Sequence, residues 1–295
     1  MAIAEMSKCT LVALKSDKDK VYDALQRTGA AQIKTQEERE YTVPFKAGDT
    51  SELDRQSEEA KKCLDFLTDE IELLPKEKRG SAVIKDGFGV SEAEFFSMGE
   101  KTDEIYGVLT EIENLAAQKS AKKAELSKLN EQIRAFEPYL PLKSKFSAFA
   151  DTKTVKVYLG IVPSDKAEKC MEEFKEAELT EAFFEGDGKA GGVISAIAYL
   201  GACETAEKIF SAYGFIKCPF KGDYTAAEKI AELTKQAEEI TAGFEEISLS
   251  AAKIADRSRE VKLYVDYLAY LKEKANADGT LLTTVDAYVL EAYVP

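Results

Sequence analysis

A heptad seam over residues 224–276 constrains this chain more than any other feature. Its apolar members are Ile230, Leu233, Ala237, Ile240, Phe244, Ile247, Ala251, Ile254, Val261, Val265 and Leu268, with one polar slot at Ser258. Steps of three and four residues, kept up over this length, line the apolar side chains along one edge of a helix. No proline interrupts the stretch, and Gly243 is its one internal glycine. The pattern predicts a continuous helix, roughly 75–80 Å long at 1.5 Å per residue. A single globular core needs no rod of that length. The rod is therefore expected to organise the molecule, with another helix as its partner.

Residues 101–137 offer that partner. Ile105, Val108, Ile112, Leu115, Leu126, Leu129, Ile133 and Phe136 keep the same spacing, and Pro138 and Pro141 end it. Lys119 and Lys122 interrupt the seam beside Ala116, Ala117, Ala121 and Ala124, small residues that shift the seam or admit a third helix. A further amphipathic run begins at Ser51, carries Leu53, Ala60, Leu64, Leu67, Ile71 and Leu74, and stops at Pro75. Residues 41–50 and 80–89 read as loops. Ser91 and Glu94 form a capping-box pattern before a short helix, and Gly99 is expected to kink it.

Between the two long helices lies a compact stretch, 151–220. Val155, Val157, Leu159 and Ile161 alternate as in a half-buried strand. Pro163, Ser164 and Asp165 open a helix with Ala167, Cys170, Met171 and Phe174 on its inner face. Residues 179–185 and 193–200 read as a hairpin. Residues 202–213 read as a helix with Ile209 and Phe210 inward, closed by Gly214, and 215–220 as a last strand. The order βαββαβ in about seventy residues is the ferredoxin-like pattern.

The two ends of the chain carry further strands. Residues 9–14 and 31–34 flank a helix that Ser16 caps, with acids in its first turn, Val21 and Leu25 inward, and Gly29 as its stop. This βαβ is too small to bury a core alone. In residues 285–294, Tyr288, Leu290 and Ala292 alternate against Val289, Glu291 and Tyr293, and this strand can complete it. The fold class expected is α+β. Two small α/β lobes sit at opposite ends of a long antiparallel helical coiled-coil stalk, giving an elongated monomer. The divisions are 1–50 and 277–295 for a proximal lobe, 51–140 and 221–276 for the stalk, and 141–220 for a distal ferredoxin-like lobe.

Composition excludes several functions. The net charge of −14 argues against nucleic acid and against anionic lipid surfaces. The absence of histidine removes the commonest general base and metal ligand. Cys9, Cys63, Cys170, Cys203 and Cys218 include no C-x-x-C pair and suit no zinc site, so they read as buried thiols in a reducing cytoplasm. The start lacks the features of a targeting segment, and the longest uncharged apolar stretch, 190–203, is too short to span a bilayer.

Few residues suggest chemistry. Gly186-Asp187-Gly188-Lys189-Ala190-Gly191 matches G-x-G-x-x-G, but a strand follows it instead of the helix a dinucleotide site requires. It reads as a hairpin turn. The pairs Glu172/Glu173, Glu238/Glu239 and Glu245/Glu246 diverge by about 100° around a helix and read as solvated faces. Lys143, Lys145, Lys153 and Lys156 form a basic cluster where the stalk meets the second lobe, either plain surface or a dock for an acidic partner. Tyr264, Tyr267 and Tyr270 form an aromatic edge expected to pack against the first lobe. No catalytic, cofactor or metal site is expected.

The segment Met6-Ser7-Lys8-Cys9-Thr10-Leu11-Val12-Ala13-Leu14-Lys15-Ser16-Asp17-Lys18, continuing through Asp23-Ala24-Leu25-Gln26-Arg27-Thr28-Gly29, resembles the start of subunit I of V-type/A-type ATP synthases, the family of V-ATPase subunit a. The end, Tyr288-Val289-Leu290-Glu291-Ala292-Tyr293-Val294-Pro295, is similar to that family's V-L-E-G-W-V-P block. It departs at Ala292, where the family has glycine, and at Tyr293, where it has tryptophan. The resemblance implies a non-catalytic cytosolic stator arm on the cytoplasmic face of the membrane. Its lobes anchor peripheral stalks of E and G (or H) subunits, lie near the subunit capping the rotor, and resist torque. The membrane half of the same subunit, with the proton path, would follow Pro295, making this chain a fragment. A different class of function also fits the pattern. Ferredoxin-like lobes on a coiled coil can serve as a small-molecule-sensing or regulatory module, and a ligand pocket within 151–220 would favour it.

Overall fold

The computed structural model describes residues 6–34, 42–45, 48–79 and 87–295. The elements run β1 (Ser7–Leu14), α1 (Lys18–Thr28), β2 (Gln32–Lys34), β3 (Val43–Pro44), α2 (Ser51–Leu73), α3 (Lys76–Arg79), α4 (Glu92–Phe96) and α5 (Thr102–Phe136). There follow β4 (Val155–Val162), α6 (Ser164–Glu176), β5 (Thr180–Gly188), β6 (Gly191–Tyr199), α7 (Cys203–Tyr213) and β7 (Ile216–Lys217). Last come α8 (Ala226–Ile254), α9 (Ser258–Asp278), β8 (Leu282–Thr283) and β9 (Ala287–Val294). The fold is α+β with two antiparallel sheets. Two compact units divide the chain: Met1–Ala117 with Ile247–Pro295, and Gln118–Glu246.

In the first unit β9 is the central strand. β1 pairs with it along its whole length, from Ser7 opposite Val294 to Leu14 opposite Ala287. β2 pairs with it at Gln32–Tyr293, and β8 at Leu282–Val289. Alternation puts Tyr288, Leu290 and Ala292 on one face, where they bury against Tyr22 of α1 and Leu281. Glu291, on the other face, is also buried and pairs with Lys8 at 2.9 Å. Gly29 ends α1 at φ 61°, a left-handed value that favours glycine. The expected cap at Ser16 does not form. Ser16 lies in a short 3₁₀ turn, and α1 starts after Asp17 with no side-chain cap bond. Val43 and Pro44, expected in a loop, form a short strand paired with Thr283 and Leu282. A proline is tolerated there because β3 lies at the sheet edge. Residues 41, 46 and 47 of the loop expected over 41–50, and 80–86 of that expected over 80–89, lie outside the described residues.

The helices of this unit share one core: Ala60 and Leu67 of α2, Ile105 and Ile112 of α5, Ala251 and Ile254 of α8, and Val261 and Leu268 of α9. Each fully buried Leu or Ile there contributes roughly 1.5–3 kcal/mol. The Ser248 hydroxyl donates to the Glu70 carboxylate at 2.8 Å across the buried helix faces. The helix expected to run unbroken through 224–276 is two helices. A 3₁₀ turn at Ala255–Arg257 separates α8 from α9. At that turn the Arg257 guanidinium bonds Glu104 at 2.8 Å and Glu260 at 2.6 Å. The expected capping box forms by half. The Glu94 amide donates to the Ser91 hydroxyl at 3.2 Å, while the Glu94 carboxylate pairs with Arg259.

In the second unit, Leu129 and Phe136 of α5 and Leu233 of α8 share a core with Phe146, Leu159, Ile161 and Val193. The charged interruption of the α5 seam has a physical solution. The Lys122 ammonium lies where a side chain at Gly243 would stand. The four-stranded sheet has the order β5-β6-β4-β7, with every neighbouring pair antiparallel. α6 and α7 cover one face through Cys170, Phe174 and Phe210, against Tyr158, Val162, Ile194 and Ala196. β7 is only two residues long, where a strand over 215–220 is expected. The Cys218 amide still reaches the Leu159 carbonyl at 2.7 Å, but Pro219 has no N–H to continue the ladder.

Candidate docking surface

The four lysines singled out in the sequence do not share one environment. Lys145 pairs with Asp223 at 3.0 Å, which together with the Ser147 hydroxyl holds that carboxyl below the ordinary aspartate range. Lys156 lies on the helix-covered side of β4, opposite Ala198, and pairs with Glu207 of α7 at 2.7 Å. Its ammonium also sits 5.1 Å from the centre of the Tyr158 ring. Lys143 and Lys153 are exposed, and among the described residues neither has an ion-pair partner.

The glycine loop is the tip of the β5–β6 hairpin, with Lys189 and Ala190 between the strands. Gly186 takes φ 138° against Pro141, and a side chain at Gly188 would run into the Pro138 carbonyl. The glycines thus let the hairpin lie against the segment after α5. Lys189 pairs with Glu137 at 2.9 Å. Of the acidic pairs, Glu173 accepts from the Tyr213 hydroxyl at 2.7 Å, and Glu238 and Glu239 are exposed. Tyr264 is buried. Tyr267 and Tyr270 meet Phe95 edge-on, and the Tyr270 hydroxyl donates to Asp23 of α1 at 3.1 Å. The five cysteines are free thiols. Cys63, Cys170 and Cys218 are buried, but Cys9, expected to be buried, is exposed on the outer strand β1. Burial pushes the Cys63 and Cys170 thiols up to about 11. Among the described residues no three Cys, Asp or Glu side chains gather as a metal-binding group, and no helix is long and apolar enough to cross a membrane.

The feature that sequence reasoning missed is a half-covered sheet face. Val155, Val157, Leu159 and Ile161 of β4 point to the side away from α6 and α7. Register places Tyr199, Ile197, Ser195 and Val193 of β6 beside them. β5 adds Glu181 opposite Ile197 and Phe183 opposite Ser195. Leu159, Ile161 and Val193 are covered by Phe136, Tyr139, Leu142 and Phe146. Ser195 is buried as well, its hydroxyl donating to Glu185 at 2.6 Å, while the outer part stays open: Tyr199 is 50% exposed, Phe183 44% and the adjoining Leu179 67%. Val155, Leu179, Ile197 and Tyr199 line a shallow depression of about 280 Å³. Val157, Phe149 and Phe220 line a neighbouring cleft of about 190 Å³. Both fall below the roughly 300–1,000 Å³ of sites that enclose a small molecule. A contiguous apolar surface of this kind fits a macromolecular contact better than a ligand site. The sequence held one signal for it. β5 carries Phe183 and Phe184 in succession, one for each face, while the unit has helices enough for one face only.

No family model matches the sequence, and no curated protein matches it. Among solved structures, the chain is similar to one described as the crystal structure of the cytoplasmic N-terminal domain of subunit I, homolog of subunit a, of V-ATPase. The two are 15% identical and superpose with a TM-score of 0.44, over 98% of this chain and 93% of that one.

Proposed function

We propose that this chain is the cytosolic stator arm of a rotary V/A-type proton-translocating ATPase or ATP synthase. It performs no catalysis. It anchors peripheral stalks of E and G (or H) subunits and resists torque, near the subunit that caps the rotor and continuous with a membrane half. One observation carries the reading. The two segments that resemble the subunit I family, at opposite ends of the sequence, are adjacent strands of one sheet, paired residue for residue from Ser7–Val294 to Leu14–Ala287. Two resemblances arising by chance would have no reason to meet in register.

In this reading 1–50 and 277–295 form the proximal lobe, 51–140 and 221–276 the helical stalk, and 141–220 the distal lobe. The strand order β7-β4-β6-β5 with α6 and α7 on one face supports a ferredoxin-like assignment for the distal lobe. Lys143 and Lys153 contact the stalk partner directly. Lys145 and Lys156 contribute only by exchanging internal pairs for external ones. The test is co-purification of the full chain with its cognate E/G pair at low and high ionic strength. Retention at low salt that weakens as salt rises is expected, because part of the contact is between exposed charges. A folded chain that retains no E/G at low salt refutes the proposal.

A further inference from the structure

Of the strands that end the two sheets, β1 alone lacks a device against further pairing among the described residues. β3 is two residues long and includes Pro44, β7 is two residues long and precedes Pro219, and β5 is bulged between Phe184 and Gly186. β1 runs eight residues in register with β9, with no bulge and no proline. One bond fixes the parity of its ladder. The Lys15 amide donates to the Asp286 carbonyl at 2.9 Å, so Ser7, Cys9, Leu11 and Ala13 turn their backbone N–H and C=O towards β9. Lys8, Thr10 and Val12 turn theirs away. Among the described residues none bonds these outward groups. An open row of alternating donors and acceptors is completed by another extended strand. The side chains offer no free charge to select a charged one. Lys8 is the only charged residue of β1, and Glu291 pairs with it at 2.9 Å.

We propose that this edge pairs antiparallel with β1 of a second copy of the chain, about a twofold axis through Thr10. The proposal is independent of the stator reading. A twofold axis normal to the sheet sets residues of like parity opposite each other, so that matching faces align and outward-turned backbone groups meet. Centred on Thr10, the register pairs 6–14 of each copy and stops before the 3₁₀ turn at Lys15–Asp17. The side chains then complement themselves. Thr10 faces Thr10, a favourable cross-strand pair. The exposed Val12 meets the alkyl stem of Lys8 from the second copy. The exposed Leu14 meets the exposed Met6. No like charges lie opposite each other, in a chain whose net charge of −14 opposes association elsewhere. Centred on Leu11 instead, the register would pair only 8–14 and leave Met6 uncovered. Nine paired residues fall short of the roughly 800 Å² per partner of a standard interface, so the dimer is weak, with Kd of about 100 µM.

The test is sedimentation equilibrium of the full chain from about 5 to about 500 µM, a range that brackets this Kd. The mean mass of wild type is expected to rise towards that of a dimer. Val12→Lys sets lysines opposite each other and should weaken dimerisation about tenfold or more, whereas Val12→Glu sets a glutamate opposite Lys8 and should strengthen it about two- to fivefold. Both changes fall on a side chain that is 67% exposed, so melting in dilute solution should match wild type. Thr10→Pro removes an outward N–H without touching the β9 ladder and should hold the chain monomeric. The opposite response of the two Val12 variants decides the matter even if Thr10→Pro melts lower. Thr10→Cys in a Cys9→Ser background reads the register. Across the axis its Cα atoms would stand about 5.5 Å apart, within disulfide reach, so mild oxidation should give a covalent dimer. Lys8→Cys in the same background, about 14 Å from its mate, should give none. Wild type that stays monomeric throughout overturns the proposal. So does a dimer that Val12→Lys and Thr10→Pro leave unchanged, or one that the two Val12 variants weaken equally. Cross-linking through Lys8→Cys and not through Thr10→Cys overturns the register.

Discussion

Leu290→Ala tests whether the two chain ends form one sheet. Leu290 is 1% exposed at the middle of β9, opposite Leu11 of β1, in a small core shared with Tyr22, Leu281 and Tyr288. Truncation removes three carbons, about 2.4 kcal/mol at about 0.8 kcal/mol per carbon, and the residual cavity brings the loss to about 3 kcal/mol. That is a large share of the 5–15 kcal/mol typical of a whole domain. The assay is native-state hydrogen exchange read by mass spectrometry. Amides of β1, β2 and β9 are expected to exchange about a hundredfold faster, and those of β4, β5 and β6 at the wild-type rate. Val12→Ala is the control. Val12 lies on the opposite face of β1 and is 67% exposed, so its removal should change stability by less than about 0.5 kcal/mol. β1 amides that keep wild-type protection in Leu290→Ala would refute the pairing. Equal acceleration in both sheets would refute the division into separately opening units.

Gly188→Ala should destabilise by about 1–3 kcal/mol in urea unfolding, because the added carbon meets the Pro138 carbonyl. Lys189→Ala removes only a surface pair with Glu137 and should stay within about 0.5 kcal/mol of wild type. The purified chain should hydrolyse no ATP above a buffer control, and hydrolysis abolished by Lys189→Ala would revive a phosphate-loop role. A chromogenic disulfide should label Cys9 at once and Cys203 more slowly. Cys63, Cys170 and Cys218 should react only on unfolding, and rapid native labelling of all five would refute their burial. Asp223→Asn tests pH dependence. The folded pKa of Asp223 is depressed by Lys145 and Ser147, so its contribution is present above the ordinary aspartate range and lost as pH falls through the folded value. The variant should therefore flatten the acid limb of a melting profile and leave the alkaline limb unchanged.

The elements with a strong period were legible, and the contacts made by weak or mixed-period segments were not. β9 showed its inward face through Tyr288, Leu290 and Ala292, yet the same alternation put Glu291 outward, where the structure buries it against Lys8. Alternation reports which residues share a face, not whether the second face is also covered. β3 was hidden by Pro44, since a proline in two residues of edge strand looks like a turn. The four lysines do not share one environment for the same reason of parity. Lys153 precedes β4 at its open end, while Lys156 lies on its helix side, so closeness in sequence separated them in space. The open sheet face was beyond single-segment reasoning because it depends on how far the ends of two distant helices reach across β4.

The break between α8 and α9 shows what an unbroken heptad conceals. Read as one helix, the seam runs through Ile254, Ser258, Val261 and Val265. An α-helix advances about 100° per residue and a 3₁₀ turn about 120°, so the three residues of Ala255–Arg257 overwind the chain by about 60°. That rotation equals a little over half a residue. The inward position should then move from 265 towards 264, and Tyr264 is 1% exposed while Val265 is only partly buried. The shift brings the aromatic ring beside α2, where the Tyr264 hydroxyl lies 3.5 Å from Gln56 and the ring meets Tyr106 edge-on. Sequence spacing alone could not reveal this. Both Tyr264 and Val265 satisfy a step of three or four from Val261, and the choice between them is made by the twist of a turn whose own residues look helical.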